Sequence, residues 1–555
     1  MIAKSYRIAA LAGLAWVLSQ PTIAADSPQE ERNLNELRNT VVNLLQSLVQ
    51  KGVLTKEQAE QMVKAAQDKA AADAAAAAAA NQKQEKEEAG AVRVPYVPEI
   101  VKEQISKQVE ADLGPSIKQD VVNEVGSKGS LFSALPDWVQ RMRWSGSVRL
   151  RYELDDFANT NATNLYLDFN QINSKGGIDK AGLSALLNTS ENQKRLRVRA
   201  LLGFDTDLGY GFSMGTRLAT GSVGEVLATT NQTLGTYGSG YTITADLAYI
   251  RWINQAFNDR QVVSFTGGRF ENPWISTDLI WYNDLTFEGL TGNYRFNLSG
   301  DKDHRYDVFL TVGAFPLTSY GVADPNAANQ QKWLAAGQLG LDFHTDNNSR
   351  IRFGAAYYDY SHIAGERNPL DSTVFNWTAP AFVQKGNSLF DISNSSTQTT
   401  SPINLFALAA NYRIVDLTAI TDFHLFPGYS IGLTAEVLRN IGFKIGDVYD
   451  RTGTFITPRT HGYRADVNFG SSKPGDLGTW RASVGYRYLQ RDAVLDAFND
   501  EDFHLGGTDA KGYTMIGDFW FNPRVYARLK YMAANAIDGP PLTIDVWQLD
   551  LNTRF

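Results

Sequence analysis

Residues 144–153 read WSGSVRLRYE, and residues 195–204 read RLRVRALLGF. In the first, Trp144, Gly146, Val148, Leu150 and Tyr152 alternate with Ser145, Ser147, Arg149, Arg151 and Glu153. In the second, Leu196, Val198, Ala200, Leu202 and Phe204 interleave with Arg195, Arg197 and Arg199. A period of two belongs to a strand, whose successive side chains point to opposite faces. One face here is apolar and the other carries arginine at every second position. A soluble core has no place for the second face, but a wall between lipid and water does. The two stretches therefore predict strands of a transmembrane β-barrel.

The alternation recurs along the chain. Apolar faces run through 212–218, 306–314, 333–341, 351–357, 415–423, 429–437, 463–469, 480–488, 525–531 and 547–555. Segments 241–253, 261–270 and 285–297 alternate less cleanly, and their pattern does not decide which face is which. Short connections near 206–211, 254–260, 298–304, 344–348, 426–428, 471–478 and 522–523 alternate with long ones near 155–193, 223–240, 271–284, 316–331, 361–402, 441–459, 492–510 and 535–542. Short turns on one rim and long loops on the other are the habit of membrane barrels. The connections predict sixteen antiparallel strands, or eighteen if 155–193 or 361–402 hides a strand. Residues 403–425 hold two apolar phases, read as one long strand with a bulge. Splitting them into two strands would give seventeen and break the parity.

Composition agrees. The chain has 555 residues and no cysteine, which excludes disulfide scaffolds, thiolate metal sites and a lipoprotein acylation site. Its formal charge of -8 and pI near 5.4 argue against a nucleic-acid partner. Mean hydropathy is -0.28 although 43% of residues are hydrophobic, and no long uncharged run follows the first residues, so a helical membrane protein is excluded. Aromatic residues at 11% and 46 glycines suit a barrel.

The start of the chain reads differently. Residues 1–25 combine Lys4 and Arg7, a short apolar stretch from Ile8 to Leu18, and Ala24-Ala25 before Asp26, the three parts of a secretory signal peptide. Its removal would take the formal charge from -8 to -10. Residues 26–90 are predicted to be helical and alanine-rich, with Leu34, Leu37, Val41, Leu44 and Leu48 forming a heptad seam. That seam suits either a periplasmic oligomerisation stalk reaching peptidoglycan or a hairpin folded on itself. Residues 91–137 form a linker with Pro95 and Pro98 and a further helix, and 138–555 form the barrel.

The chain ends on Phe555 after alternating apolar residues. This resembles the C-terminal signal that the barrel-assembly machinery reads in Gram-negative outer-membrane proteins. Residues 267–289 read GGRFENPWISTDLIWYNDLTFEG, with Gly268-Arg269, Asn272-Pro273 and Asp278-Leu279-Ile280-Trp281 as their distinctive words. Together with the signal peptide, the helical segment and the sixteen-strand pattern, they resemble the family of putative porins over nearly the whole mature chain. The resemblance implies the cell outer membrane, with lipid and lipopolysaccharide around the barrel and the N-terminal segment in the periplasm. It names no solute.

A sixteen-stranded barrel leaves an aqueous channel unless something folds into it. The expected activity is passive diffusion of small hydrophilic solutes or ions. Inward-phase bases gather at both ends of the barrel sequence: Arg149, Arg151, Arg195, Arg197, Arg199 and Arg217, then Arg481, Arg487, Arg524, Arg528 and Lys530. A closed ring makes these one wall. Inward acids sit on middle strands at Asp307, Asp342, Asp416, Asp422 and Glu436, interrupted by Arg350 and Arg352. Opposed walls would set a transverse field, and charges at the constriction would set selectivity. In trimeric general porins, which the strand count resembles, the third long loop folds inward. That resemblance implies a homotrimer and makes Glu271, Asp278 and Asp284 candidates for an acidic rim. The excess of wall arginine argues for anions and the net acidity for cations.

The six histidines at 304, 344, 362, 424, 461 and 504 show no metal-ligand spacing, and no nucleophile elbow or phosphate loop appears. No enzyme activity and no cofactor are expected. Asn499-Asp500-Glu501-Asp502 reads as a plain acidic outer loop. The alternative from another class is a structural anchor, whose N-terminal helices tether the envelope to the cell wall.

Overall fold

The last strand, Thr543–Arg554, pairs antiparallel with the first, Arg143–Phe157, and this pairing closes a sheet into a ring. The strands of the ring are β1 (Arg143–Phe157), β2 (Gln193–Gly209), β3 (Phe212–Thr220), β4 (Ile243–Asn254), β5 (Gln261–Glu271), β6 (Thr286–Asn297), β7 (Arg305–Pro316) and β8 (Trp333–His344). They continue as β9 (Arg350–Ser361), β10 (Arg413–Phe426), β11 (Tyr429–Asn440), β12 (His461–Ser471), β13 (Trp480–Leu489), β14 (Ala510–Asn522), β15 (Val525–Ala536) and β16 (Thr543–Arg554). Each pairs antiparallel with its sequence neighbour, so the sixteen-strand count holds. The computed structural model describes residues 137–181, 185–221, 230–254, 260–299, 305–318, 331–345, 349–396 and 404–555. The expected signal peptide, heptad seam and linker helix at 1–136 lie outside the described residues.

Alternation decides the facing of each strand. Leu150 is 46% exposed on the outside, while its neighbour Arg151 is 3% exposed inside. The three segments of unclear phase join the ring as β4, β5 and β6. Their pattern is blurred by a register shift between Arg217 and Leu218 opposite β4, and by glycines in β5 and β6. Gly268 has φ +118°, and a Cβ there would lie 2.3 Å from the carbonyl oxygen of Ala248. Only glycine takes that backbone at so close an approach. At the closing seam, Phe555 exchanges backbone hydrogen bonds with Gly146 at 3.0 and 3.2 Å. Its ring lies over Gly146, where a Cβ would come within 2.3 Å of the ring.

The single bulged strand expected over 403–425 does not form. Phe406–Leu408 pairs with Leu389–Asp391 in a separate two-stranded sheet, and β10 begins only at Arg413. The even-phase residues Phe406 to Tyr412 belong to a folded loop. Leu408, Ala410 and Tyr412 are buried in its interior. A loop with an inner side alternates as a strand does. Gln232–Thr233 adds only a short edge to β2.

The apolar core lies inside the ring. Connections 272–285, 362–412, 441–460 and 490–509 contribute Trp281, Ile392, Val448 and Val494 to one buried cluster. It packs on inward residues of the wall that include Phe315, Tyr358, Ile414 and Leu438. A second cluster joins Phe503 to Met532, Ile544 and Val546. Long connections, rather than side chains of the strands alone, fill this barrel.

Candidate functional site

The connection 272–285 leaves β5 and crosses the lumen. Its sequence, NPWISTDLIWYNDL, is apolar enough to be buried and polar enough to be fastened. The Ile275 amide donates to Gln338 Oε1 on β8, and Gln338 Nε2 donates back to the Ile275 carbonyl, both at 2.8 Å. The Thr277 hydroxyl donates to Glu436 on β11. Asp278 pairs with Arg464 on β12, and its carbonyl accepts from Arg487 on β13 at 2.8 Å. Trp281 stands edge-on to Phe287 and Tyr358 at ring separations of 4.9 and 5.2 Å. The Tyr282 amide donates to the carbonyl of Phe498 at 2.9 Å. The connection is thus held across the ring at several points.

Two chambers lie against β2, β3 and β4, the larger between them and 272–285 and the smaller walled by residues of β1 to β5 alone. One, of about 320 Å³, is lined by Arg199, Arg217, Asp246, Glu271 and Asp284 among others. The other, of about 130 Å³, is lined by Asp205, Arg217, Tyr249, Arg251 and Glu271 among others. Arg217 and Glu271 line both. They pair at 2.5 Å, and Arg217 also pairs with Asp246 at 2.5 Å. The Glu271 side chain is 69% exposed and that of Arg217 21%. Arg199 meets Asp284 at 2.7 Å. Of the three candidate rim acids, Glu271 and Asp284 therefore face the chambers, while Asp278 is fastened to the far wall.

The arginines do not form a bare wall opposite the acids. Arg151 binds Asp550 at 2.7 Å and Asp502 at 3.1 Å. Arg195 meets Glu153 at 2.7 Å and also Asp155, and Arg197 meets Glu153 at 3.3 Å. Arg487 binds Asp500 at 3.0 Å, Arg528 binds Asp518 at 2.7 Å, and Lys530 lies 3.8 Å from Asp502. Arg481 hydrogen-bonds Ser430 and lies 3.9 Å from Asp422. Arg149 donates to Asn231. Arg524 is exposed in the tight turn between β14 and β15, so it stands at the rim rather than on the lumen wall. On the middle strands, Asp307 pairs with Arg305 at 2.7 Å and Arg295 at 3.1 Å, and Asp342 with Arg350 at 2.6 Å. Asp416 and Glu436 are buried side by side on β10 and β11, linked through the Thr418 hydroxyl.

The acidic stretch 499–502, expected to be a solvated outer loop, turns inward instead. Asp500 and Asp502 are buried as counter-charges of Arg487 and Arg151, and Glu501 accepts from Tyr282 and Asn231. Two buried guanidinium groups left without carboxylates would each cost several kcal/mol, about 3–5 for one broken pair. An acidic run in a loop of a chain with an arginine ladder was the available signal. Glu153, Asp155, Arg295 and Arg464 were also missed; the first two are visible in the same alternation as Arg151.

Above the spanning strands, the connections lock to one another. Lys385 Nζ lies 2.7 Å from His504 Nδ1 and donates to the Gly506 carbonyl at 2.8 Å, while His504 Nε2 lies 3.1 Å from the Leu542 carbonyl. Burial lowers the Lys385 ammonium to about 7 and holds His504 well below its ordinary value. Burial also raises Asp496, which accepts from the amides of Gln384 and Asn387, to about 6.

A closed antiparallel ring with an apolar outside and a charged, loop-narrowed inside defines an outer-membrane β-barrel channel. The chain belongs to the family described as Putative porin, which it matches over residues 38–555. That membership points to a channel rather than an enzyme, and to the outer membrane. Solved structures with a similar ring include OprB of Pseudomonas putida at high pH, at 12% identity and a TM-score of 0.41 over 75% of this chain and 95% of that one. The outer membrane channel DcaP of Acinetobacter baumannii matches at 11% and 0.36, over 75% and 97%. OmpF of Salmonella typhi in complex with daunomycin matches at 10% and 0.37, also over 75% and 97%. At such scores the likeness is to a barrel in general, and the fold rests on its own strand pairing. A search among curated proteins finds no match.

Proposed function

We propose that this porin passes small hydrophilic solutes or ions by diffusion, along a path between 272–285 and the wall of β2, β3 and β4. The observation that carries this reading is the pair of chambers that share Arg217 and Glu271 as lining residues. Solutes would pass in file with Arg199, Arg217 and Arg251 on the wall side and Glu271 and Asp284 at the ends of the crossing connection. A field at that point orients dipolar solutes and disfavours apolar ones, which would displace water from the wall charges without replacing its hydrogen bonds. We further infer a homotrimer in the outer membrane, assembled by machinery that reads Phe555, with lipid and lipopolysaccharide against the apolar outer face. A contact of the N-terminal segment with peptidoglycan belongs to the same proposal.

Single-channel recording of the refolded full chain in a planar bilayer tests it. Stepwise conductance, in triplets, is the expected result. A sealed but folded barrel would overturn the channel reading and favour the structural anchor. Crosslinking that yields only monomers would remove the trimer without touching the pore.

A further inference from the structure

The outer face of the barrel is apolar except at its long-loop rim, and there the charges are unevenly placed. By alternation Arg439 on β11, His461 on β12 and Lys511 on β14 point outward. Arg439 is opposite His461, and Lys511 is opposite Tyr488. Neighbouring strands lie about 4.8 Å apart, so the two cationic ends are roughly 15 Å apart along the rim. No carboxylate lies within ion-pair distance of Arg439 or Lys511 among the described residues. Outward bases elsewhere on this rim do have partners: Arg269 meets Glu288, and Arg413 meets Asp359 at 3.4 Å.

Beneath these bases, Tyr463, Tyr486, Tyr488 and Tyr513 form a continuous belt, with Tyr463 stacked on Tyr488 at 5.1 Å and Tyr486 beside Tyr513 at 4.9 Å. Below the belt an apolar groove of about 570 Å³ opens where Ala482 and Gly517 leave space between Val467, Met515, Leu529 and Trp547. Tyrosine suits a membrane interface because its ring is apolar and its hydroxyl is wet.

The connection that leaves Arg439 adds a second observation. It carries a short helix, Ile445–Thr452, that buries Val448 and Thr452 against the barrel. Ile441, Ile445 and Tyr449 remain 42%, 43% and 53% exposed. Ile445 and Tyr449 share one flank at a spacing of four, and Asp447 and Asp450 lie on the side away from the buried residues. Water gives such a flank no partner, but acyl chains do, and Lys444 beside it is exposed and basic.

Resting on the reading that this barrel stands in the outer membrane with lipopolysaccharide against its outer face, we propose that the rim of β11 to β14, together with the flank of Ile445–Thr452, is a binding site for a phosphate-bearing, multiply acylated lipid of the outer leaflet. Arg439, His461 and Lys511 take the phosphates, the tyrosine belt takes the headgroup boundary, and the groove and Ile445 take acyl chains. Charge complementarity selects the lipid's anionic head, and continuity with the lipid-facing wall selects a lipid over a free anion.

The test uses the full chain, refolded in detergent and titrated with purified lipopolysaccharide, with dephosphorylated lipopolysaccharide, and with inorganic phosphate, read by native mass spectrometry. Phosphorylated lipopolysaccharide should stay bound, and Arg439→Gln with Lys511→Gln should weaken it about tenfold or more. Ile445→Ser with Tyr449→Ser should also weaken it while leaving conductance unchanged. Arg413→Gln should do neither. Heat-modifiable migration on gels verifies that each variant is folded. Equal binding of the dephosphorylated lipid, full displacement by inorganic phosphate alone, or no effect of the Arg439 and Lys511 changes would each overturn the site. So would a photocrosslinker at position 445 that captures a second copy of the chain in bilayers instead of lipid.

Discussion

Glu271→Gln should lower the preference of the channel for cations by a calculable amount. The Glu271 side chain is 69% exposed and lines both chambers, so a passing ion comes close to it through water. At about 5 Å and the dielectric constant of water, one unit charge acts with about 0.8 kcal/mol. Screening at 0.1 M salt, with a Debye length of about 10 Å, reduces this to about 0.5 kcal/mol. That is roughly twofold in the local concentration of a cation and the inverse for an anion, or about fivefold in their permeability ratio. Arg217 is released by the same change, but the net change remains one charge. The assay is the reversal potential across a bilayer with a tenfold salt gradient. Asp284→Asn should shift it in the same direction. Asp278→Asn, whose carboxylate is tied to Arg464 on the far wall, should leave it nearly unmoved. If Asp278→Asn moves the potential and Glu271→Gln does not, ions travel on the other side of the connection and the proposed path is wrong.

Other perturbations report on the supports of that path. Trp281→Ala removes a buried ring packed on Phe287 and Tyr358 and should cost the docked connection about 3–5 kcal/mol. Unitary conductance should rise and become noisier; an unchanged trace would mean that 272–285 does not limit flow. Gly268→Ala forces a side chain into the Ala248 carbonyl at φ +118°, whereas Gly267→Ala meets only the movable end of Leu290. The first should lower the urea midpoint of unfolding clearly and the second barely, and equal effects would discredit the close approach. Lys385 is held neutral in the folded state from about pH 7 upward, while the opened chain stays protonated to its ordinary value near 10.5. The opened state then binds more protons, so closure should strengthen as pH rises from 7 to 10. Protection of the amides in 385–390 and 503–509, taken as exchange relative to the intrinsic rate at each pH, should rise across that window in the wild type and show no trend in Lys385→Met.

The ring was legible because its signal is local. Leu150 beside Arg151 needs only a period of two, and the alternation of short and long connections needs only spacing. What failed was whatever depended on which distant residues meet. Phe406 to Tyr412 alternate like the strand that follows them, and only their burial against loop partners sets them apart. The alternation puts Arg151 in the inward phase, but its partner Asp502 comes from a connection hundreds of residues later. The acidic run beside an arginine ladder is a hint, but its pattern alone does not set it apart from an ordinary acidic outer loop. For β4 and β5 the pattern was obscured by the structure's own irregularities, the register shift opposite Asp246 and the strained Gly268. The resemblance puts Glu271, Asp278 and Asp284 on one rim, whereas the geometry separates Asp278 from the other two.

That separation bears on the sign of selectivity, which composition leaves open. Most inward arginines are matched to a carboxylate, so the number of arginines cannot decide it. What matters is which member of each pair faces water. In the Arg199–Asp284 pair both side chains are equally exposed, at 18%. In the Arg217–Glu271 pair the acid is far more exposed than the base. Asp205 is a further exposed carboxylate in the smaller chamber, where it accepts the Tyr249 hydroxyl at 2.6 Å, and Arg251 there is half-buried over the Tyr249 ring. Exposed carboxylates therefore outweigh exposed guanidinium groups along the path, and the wild-type channel should prefer cations weakly. The preference should fade with salt as screening shortens the reach of each charge. An anion-preferring reversal potential in the wild type would show that Arg199 and Arg217 act on permeating ions more strongly than their paired geometry allows.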